Sequence, residues 1–166
     1  MLKYLTNQQV VDFFGDPGPF LLNTGEISAD WETEILSTFD LLSAVPLYNA
    51  NSSIAVSKIR CHRRIVPFMR AAFLEIQESA EMRPLLKSFD GCYNWRRQRK
   101  AKSLSRHGWG IAVDINDEEN SLGDSTPSQD LRIIDVFRRH GFMWGGYFHR
   151  PDGMHFEFAD VSLLAA

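Results

Sequence analysis

The alternation of hydrophobic and polar positions changes period several times along the chain, and each change marks an element. Thr6 followed by Asn7, Gln8 and Gln9 is a helix cap. Val10, Val11, Phe13 and Phe14 then give a short packing helix that Gly15-Asp16-Pro17-Gly18-Pro19 stops. From Trp31 to Tyr48 apolar residues recur without helical spacing and Pro46 interrupts them, which predicts one or two short strands or extended segments. Ile54 to Cys61 alternates as a half-buried strand does. Beyond it, Ile65, Phe68, Met69, Phe73 and Ile76 form a stripe of near 3.6 period, so a core helix is expected from about Arg63 to about Ser79, with Pro67 tolerated in its first turn.

Asp90-Gly91 is a turn signal, after which Cys92-Tyr93-Asn94-Trp95 is expected as a short strand leading into a basic loop, Arg96 to Lys102. Another strand is expected at Gly110 to Ile115. Residues 117–128 form a polar loop, with Ser128 as the cap of a helix carrying Leu131, Ile134, Val136 and Phe137 and closed by Gly141. A Gly145-Gly146 turn then precedes a strand around Met154 to Phe158. Strands and helices alternate irregularly around short turns, which predicts an α+β fold with a small central antiparallel sheet and flanking helices.

The chain has 166 residues, 44% of them hydrophobic, which is the range of one globular domain and excludes disorder and collagen-like repetition. Such a length buries enough surface to fold without staples, so any metal is present for chemistry. No apolar run is long enough for a membrane span, and the start lacks the basic and apolar regions of a secretory signal, so synthesis in the cytoplasm is expected. Cys61 and Cys92 stand 31 positions apart without a CxxC pattern and read as buried free thiols. The net charge of -3 hides an asymmetry: residues 58–106 hold 13 Lys/Arg against 4 Asp/Glu. That stretch would attract a polyanion, and a polyanionic cell wall fits better than nucleic acid, which is not expected as a partner.

Two segments carry the residues of a metal-dependent hydrolase. A zinc peptidase needs three protein ligands, an open position for water and a carboxylate to take a proton from it. In Ser105-Arg106-His107-Gly108-Trp109-Gly110-Ile111-Ala112-Val113-Asp114, a loop His precedes a strand Asp by seven positions. In Asp152-Gly153-Met154-His155-Phe156-Glu157, a second His opens another strand, with an acid before it and one after it. The strand period of two puts Ala112 with Asp114, and His155 with Glu157, on one face, leaving Phe156 and Phe158 for the core. If the strands are neighbours, His107, Asp114 and His155 converge on one ion. A Ser105, His107, Asp114 triad is a poor rival, because no GxSxG elbow is present and the second segment would be unused.

SxHxxGxAxD at Ser105, His107, Gly110, Ala112 and Asp114, with DxxH at Asp152 and His155, resembles the zinc D-alanyl-D-alanine peptidases of the VanY/VanX type. Tyr93-Asn94-Trp95-Arg96 and the ending from Phe142 to Phe158 extend the likeness to about residues 54–158. The resemblance implies a single zinc peptidase domain over 1–166, with 1–50 as an N-terminal packing segment, 54–158 as the catalytic core, and the fold these peptidases share with the hedgehog signalling domain. It implies Zn2+ as cofactor on His107, Asp114 and His155, Asp152 as general base, and Arg96 as the oxyanion-stabilising arginine. Ser105, Glu157 and Trp109 would contact substrate, Glu157 also being the rival base. An Asp at position 152, where relatives often carry Glu, resembles the phage L-alanyl-D-glutamate endopeptidases. The implied substrate is peptidoglycan stem peptide, cut either internally or at a terminal D-Ala, by a monomer reaching the periplasm or cell wall through a holin or a secretion system, with an immunity or delivery partner. A non-catalytic zinc-containing binding module is the alternative. Several residues also have plainer readings. Arg96 belongs to a run of cations that would form a solvated face, Asp152 can be a turn residue, Trp109 can be core, and His62 and His140 read as structural. His149 is a candidate for the cleft wall.

Overall fold

The computed structural model describes residues 2–42, 47–49, 52, 54–96 and 104–165. Pro46 and the basic run 97–102 lie outside the described residues. Four helices occur among them: α1 (Asn7–Phe14), α2 (Ala29–Ile35), α3 (Val66–Glu78) and α4 (Leu131–Arg139). The strands are β1 (Leu36–Asp40), β2 (Leu47–Asn49), β3 (Ala55–Val56), β4 (Lys58–His62), β5 (Ser88–Gly91), β6 (Ala112–Ile115), β7 (Phe142–Trp144) and β8 (His155–Phe158). β1 and β4 form an antiparallel ribbon, and the rest form one sheet in the order β3-β2-β5-β6-β8-β7. The fold is α+β, as expected. The sheet is antiparallel except between β2 and β5, which run parallel.

The helices start where local chemistry satisfies their first amide groups. Thr6 and Gln9 form a reciprocal capping box on α1. Pro67 sits in the first turn of α3, where its missing N–H costs nothing, and a 3-10 turn at Arg63–Ile65 leads in. Asp130, not Ser128, caps α4: its carboxylate accepts from the Arg132 amide, whereas the Ser128 hydroxyl donates to the Glu119 carbonyl. The expectation of one or two strands from Trp31 to Tyr48 holds at β1 and β2 but is corrected at its start by α2, which buries Trp31 and Ile35, one turn apart, and carries Asp30 and Glu32 in its positive first turn. Ile54 to Cys61 is split between two sheets, because the alternating pattern cannot reveal that β3 and β4 pair with different partners.

Asp90-Gly91 is not a turn but the end of β5, where pairing with β6 shifts between Phe89 and Gly91. Gly91 has a φ of 123°, which suits it to this irregularity. The strand expected at Cys92 to Trp95 is irregular backbone instead. β7 leaves no signal in the sequence pattern, because three residues carry too little alternation to read.

β6 and β8 are buried along their whole length and sit at the centre of the site. Ala112 pairs with Glu157 and Asp114 with His155, so these four share one face. The opposite face carries Phe156, which stacks on Phe137 of α4 with ring centroids 4.4 Å apart. The apolar side of the sheet therefore anchors to α4 while the other side can hold polar groups.

Candidate metal centre

β6 and β8 bring two of the three expected ligands side by side, and the 3-10 turn Arg106–Trp109 delivers the third. Ser105 starts that turn by accepting from the His107 amide at 3.4 Å. Gly110 ends it with a left-handed φ of 66°, and a Cβ there would lie 2.9 Å from the His62 amide nitrogen and from Leu36 Cδ2. The glycine of the motif is thus required by conformation and by space. The loop before β8 is held similarly close: the Asp152 amide donates to the Gly145 carbonyl at 2.9 Å, and a Cβ on Gly145 would lie 2.7 Å from the Asp152 carbonyl oxygen.

His107 Nε2 lies 3.2 Å from Asp114 Oδ1, His155 Nδ1 lies 2.9 Å from the same oxygen, and the two imidazole nitrogens are 3.2 Å apart. All three residues are buried. Ligand atoms held ~2.0 to 2.1 Å from a tetrahedral zinc lie roughly 3.3 Å from one another. The donor set and its spacing therefore fit such an ion. The far ring nitrogens agree: His107 Nδ1 is 2.6 Å from the Cys92 carbonyl and His155 Nε2 is 3.3 Å from Glu157 Oε2. Each acceptor is placed to accept a hydrogen bond from the outer nitrogen, which leaves the inner nitrogen as the one available to an ion.

The close approach of the three groups shifts Asp114 and His155 in opposite directions. Burial alone would raise the Asp114 carboxyl, but His107 and His155 beside it outweigh burial and hold it well below the usual carboxylate range. Burial would lower His155, yet hydrogen bonds to the Asp114 and Glu157 carboxylates push it up to about 10.

Asp152 stands at the mouth of the cluster. It is half-buried, its Oδ1 is buried with no hydrogen-bond partner among the described residues, and burial raises its carboxyl above the ordinary value. His155, Asp114, His107 and Arg96 all act electrostatically on it. Two cavities, of about 420 and about 320 Å³, flank the cluster and share Arg96, Leu122 and Asp152 as lining. Asp114 faces the first; His107, His155 and Ser105 face the second.

The expected site residues therefore separate. His107, Asp114, His155, Asp152, Arg96 and Ser105 are brought together. Glu157 lines the second cavity, but its carboxylate engages His155 and the Arg106 guanidinium, which leaves it poorly placed as a rival base. Trp109 is a correction: it is 4% exposed in the hydrophobic core, its indole N–H donating to the Gly15 carbonyl at 2.9 Å, and it does not line either cavity. His62 is buried and structural, His140 pairs with Glu75, and His149 is exposed outside the cavity linings. Spacing alone misses the Cys92 carbonyl, Arg106, Phe148 and the acids Asp90 and Asp117 of the first cavity. Arg106 was legible only as the unassigned position between Ser105 and His107.

Residues 99–158 match the family described as D-alanyl-D-alanine carboxypeptidase. The likeness covers about a third of the chain. The match includes His107, Asp114, Asp152 and His155, and leaves Arg96 and the N-terminal helices outside it. The match thus falls on the segment that carries the buried His-Asp-His group, whose donor atoms lie close enough together to hold a metal. Among the described residues no helix is long and apolar enough to cross a membrane.

Proposed function

We propose that the protein is a zinc-dependent peptidase that hydrolyses amide bonds in peptidoglycan stem peptides, with His107, Asp114 and His155 as the metal ligands. The observation that carries this reading is the mutual approach of His107 Nε2, Asp114 Oδ1 and His155 Nδ1 to within 3.2 Å. Two imidazoles and one carboxylate are a donor set that suits zinc. When bound, zinc supplies Lewis acidity, bringing water closer to ionisation at neutral pH and polarising a carbonyl.

The chain's own groups supply the rest. Asp152 takes the proton of the attacking water and returns it to the leaving amine, for which a raised carboxyl is better matched than an ordinary one. Arg96 borders both cavities and offsets the negative charge that develops on the scissile carbonyl oxygen. Ser105 holds the His107 turn and borders the second cavity, where it contacts the peptide. Cavities on both sides of the cluster favour a substrate that runs past it in both directions, hence cleavage within a peptide rather than removal of a terminal residue.

Incubating purified muropeptides with the protein, with and without a chelator, and weighing the products by mass spectrometry tests this reading. Chelator-sensitive release of an internal fragment is the expected result. Loss of a terminal D-Ala would make the protein a carboxypeptidase. An intact substrate pool, with zinc bound to the protein, would favour the binding-module alternative.

A further inference from the structure

The outer side of His155 is tied to a part of the chain that the family match does not reach. Glu157 places Oε2 3.3 Å from His155 Nε2, and its Oε1 lies 3.8 Å from Arg106 Nε. Arg106 is only 8% exposed, a rare state for arginine, and fixed partners compensate it. Its Nη2 donates to the Leu5 carbonyl at 2.6 Å and its Nη1 to Asn7 Oδ1 at 2.9 Å. Leu5 and Asn7 flank Thr6, the cap of α1, so both acceptors sit at the start of that helix beside its capping box.

A second contact runs from the same segment. The Tyr4 hydroxyl donates to the Trp144 carbonyl at 2.9 Å, the Tyr4 ring packs on Phe148 at 4.9 Å between centroids, and Phe148 lies 5.8 Å from the His155 ring. Residues 4–7 thus reach His155 by a polar route through Arg106 and Glu157 and by an aromatic route through Phe148.

The polar route controls what His155 presents. Nδ1 and Nε2 sit on opposite sides of one rigid ring, so the contact of Nε2 with Glu157 fixes the rotation that aims Nδ1 at Asp114. Glu157 is itself 6% exposed, and the Arg106 guanidinium lies beside its other oxygen, so the arginine fixes where the carboxylate sits.

We propose that Arg106 is a positioning residue of the metal centre: clamped by Leu5 and Asn7, it holds Glu157 in place and thereby sets the orientation of His155. The inference rests on the reading of His107, Asp114 and His155 as metal ligands. It gives the N-terminal segment a role in the site beyond packing.

The test is zinc affinity of the full-length chain, measured by competition with a chromogenic chelator, with the visible spectrum of the cobalt(II) form reporting coordination geometry. Glu157→Gln and Arg106→Leu are each expected to weaken zinc binding ~10- to 100-fold and to alter the cobalt spectrum. The double variant should lose no more than the weaker-binding single one, because both act along one route. Arg106→Lys restores the charge without the fork and should recover part of the loss. Asn7→Ala, at an exposed position, should give a smaller loss in a folded protein. His62→Gln, which lies off the route, controls for general destabilisation and should bind zinc as the parent does. A folded Arg106→Leu with parental affinity and spectrum overturns the proposal. If that variant does not fold, parental behaviour of both Arg106→Lys and Asn7→Ala overturns it. A parent protein that binds no zinc would instead defeat the metal reading, and the proposal with it.

Discussion

His62 and His155 are almost equally hidden, at 3% and 7% exposure, yet their surroundings differ in kind. The region around His62, where β4 meets α1, offers it backbone groups and an aromatic edge. Nε2 is 3.2 Å from the Phe14 carbonyl, Nδ1 accepts from the Arg64 amide at 3.2 Å, and the Phe14 ring stands edge-on at 5.1 Å. Burial, with Arg64 and Arg63 adding to it against the Phe14 carbonyl, lowers this histidine to about 4, so it is neutral and both nitrogens are used. The region around His155, between β6 and β8, offers two carboxylates and a second imidazole. Burial therefore does not distinguish a ligand from a structural histidine. A ring nitrogen left facing other donors does.

Four experiments would break or sharpen that contrast, from the largest effect to the smallest. His155→Ala should lose zinc and turnover together, as read by metal analysis and muropeptide assay; retained metal would remove His155 from the ligand set. Asp152→Ala should keep its zinc while turnover falls ~10^2- to 10^4-fold, the range of a general acid-base group. Full activity in that variant would reassign the base. His62→Gln should leave zinc affinity unchanged and lower stability by ~1 to 3 kcal/mol in denaturant titration, the cost of disturbing two buried hydrogen bonds. Altered zinc affinity there would erase the contrast between the two regions.

The fourth experiment concerns pH. His62 is depressed to about 4 from an ordinary value of 6.5, so the unfolded chain takes up the proton first as pH falls. The stability that the neutral ring contributes is present above pH 6.5 and is lost on the way down to about pH 4, by up to roughly 3 kcal/mol. Asp90 acts in the opposite sense: burial and Asp117 raise it to about 6, so its protonation favours the folded state in the same window. Denaturant titrations of the parent and of His62→Gln at pH 7 and pH 4.5 separate the two effects, and the acid-dependent loss should shrink in the variant. An unchanged slope would mean that His62 carries its proton in the folded protein.

The motif residues are legible because short-range rules govern them. A period of two along β6 and β8 puts Asp114 and His155 on the face opposite Phe156, and Thr6 with Gln9 marks the start of α1. The two cysteines are buried and free, as their spacing suggests. Legibility fails where a pattern has two physical meanings. Apolar spacing at Trp31 reads as a strand but is the buried side of α2, and Asp90-Gly91 reads as a turn but ends an edge of irregular pairing. Trp109 reads equally as cleft wall or core, and only the position of the Gly15 carbonyl decides for the core.

Spacing alone specifies which side chains can share a strand face, which helices can start where, and which three donors belong to one chemistry, because these depend on neighbours within a few residues. The tertiary structure decides the adjacency of β6 and β8, the outer partners of each imidazole, and the burial of Arg106 against Leu5 and Asn7. Those contacts join positions up to 101 residues apart. No local period encodes them, since they form only when packing of the whole chain removes water and leaves each buried polar group to find its partner.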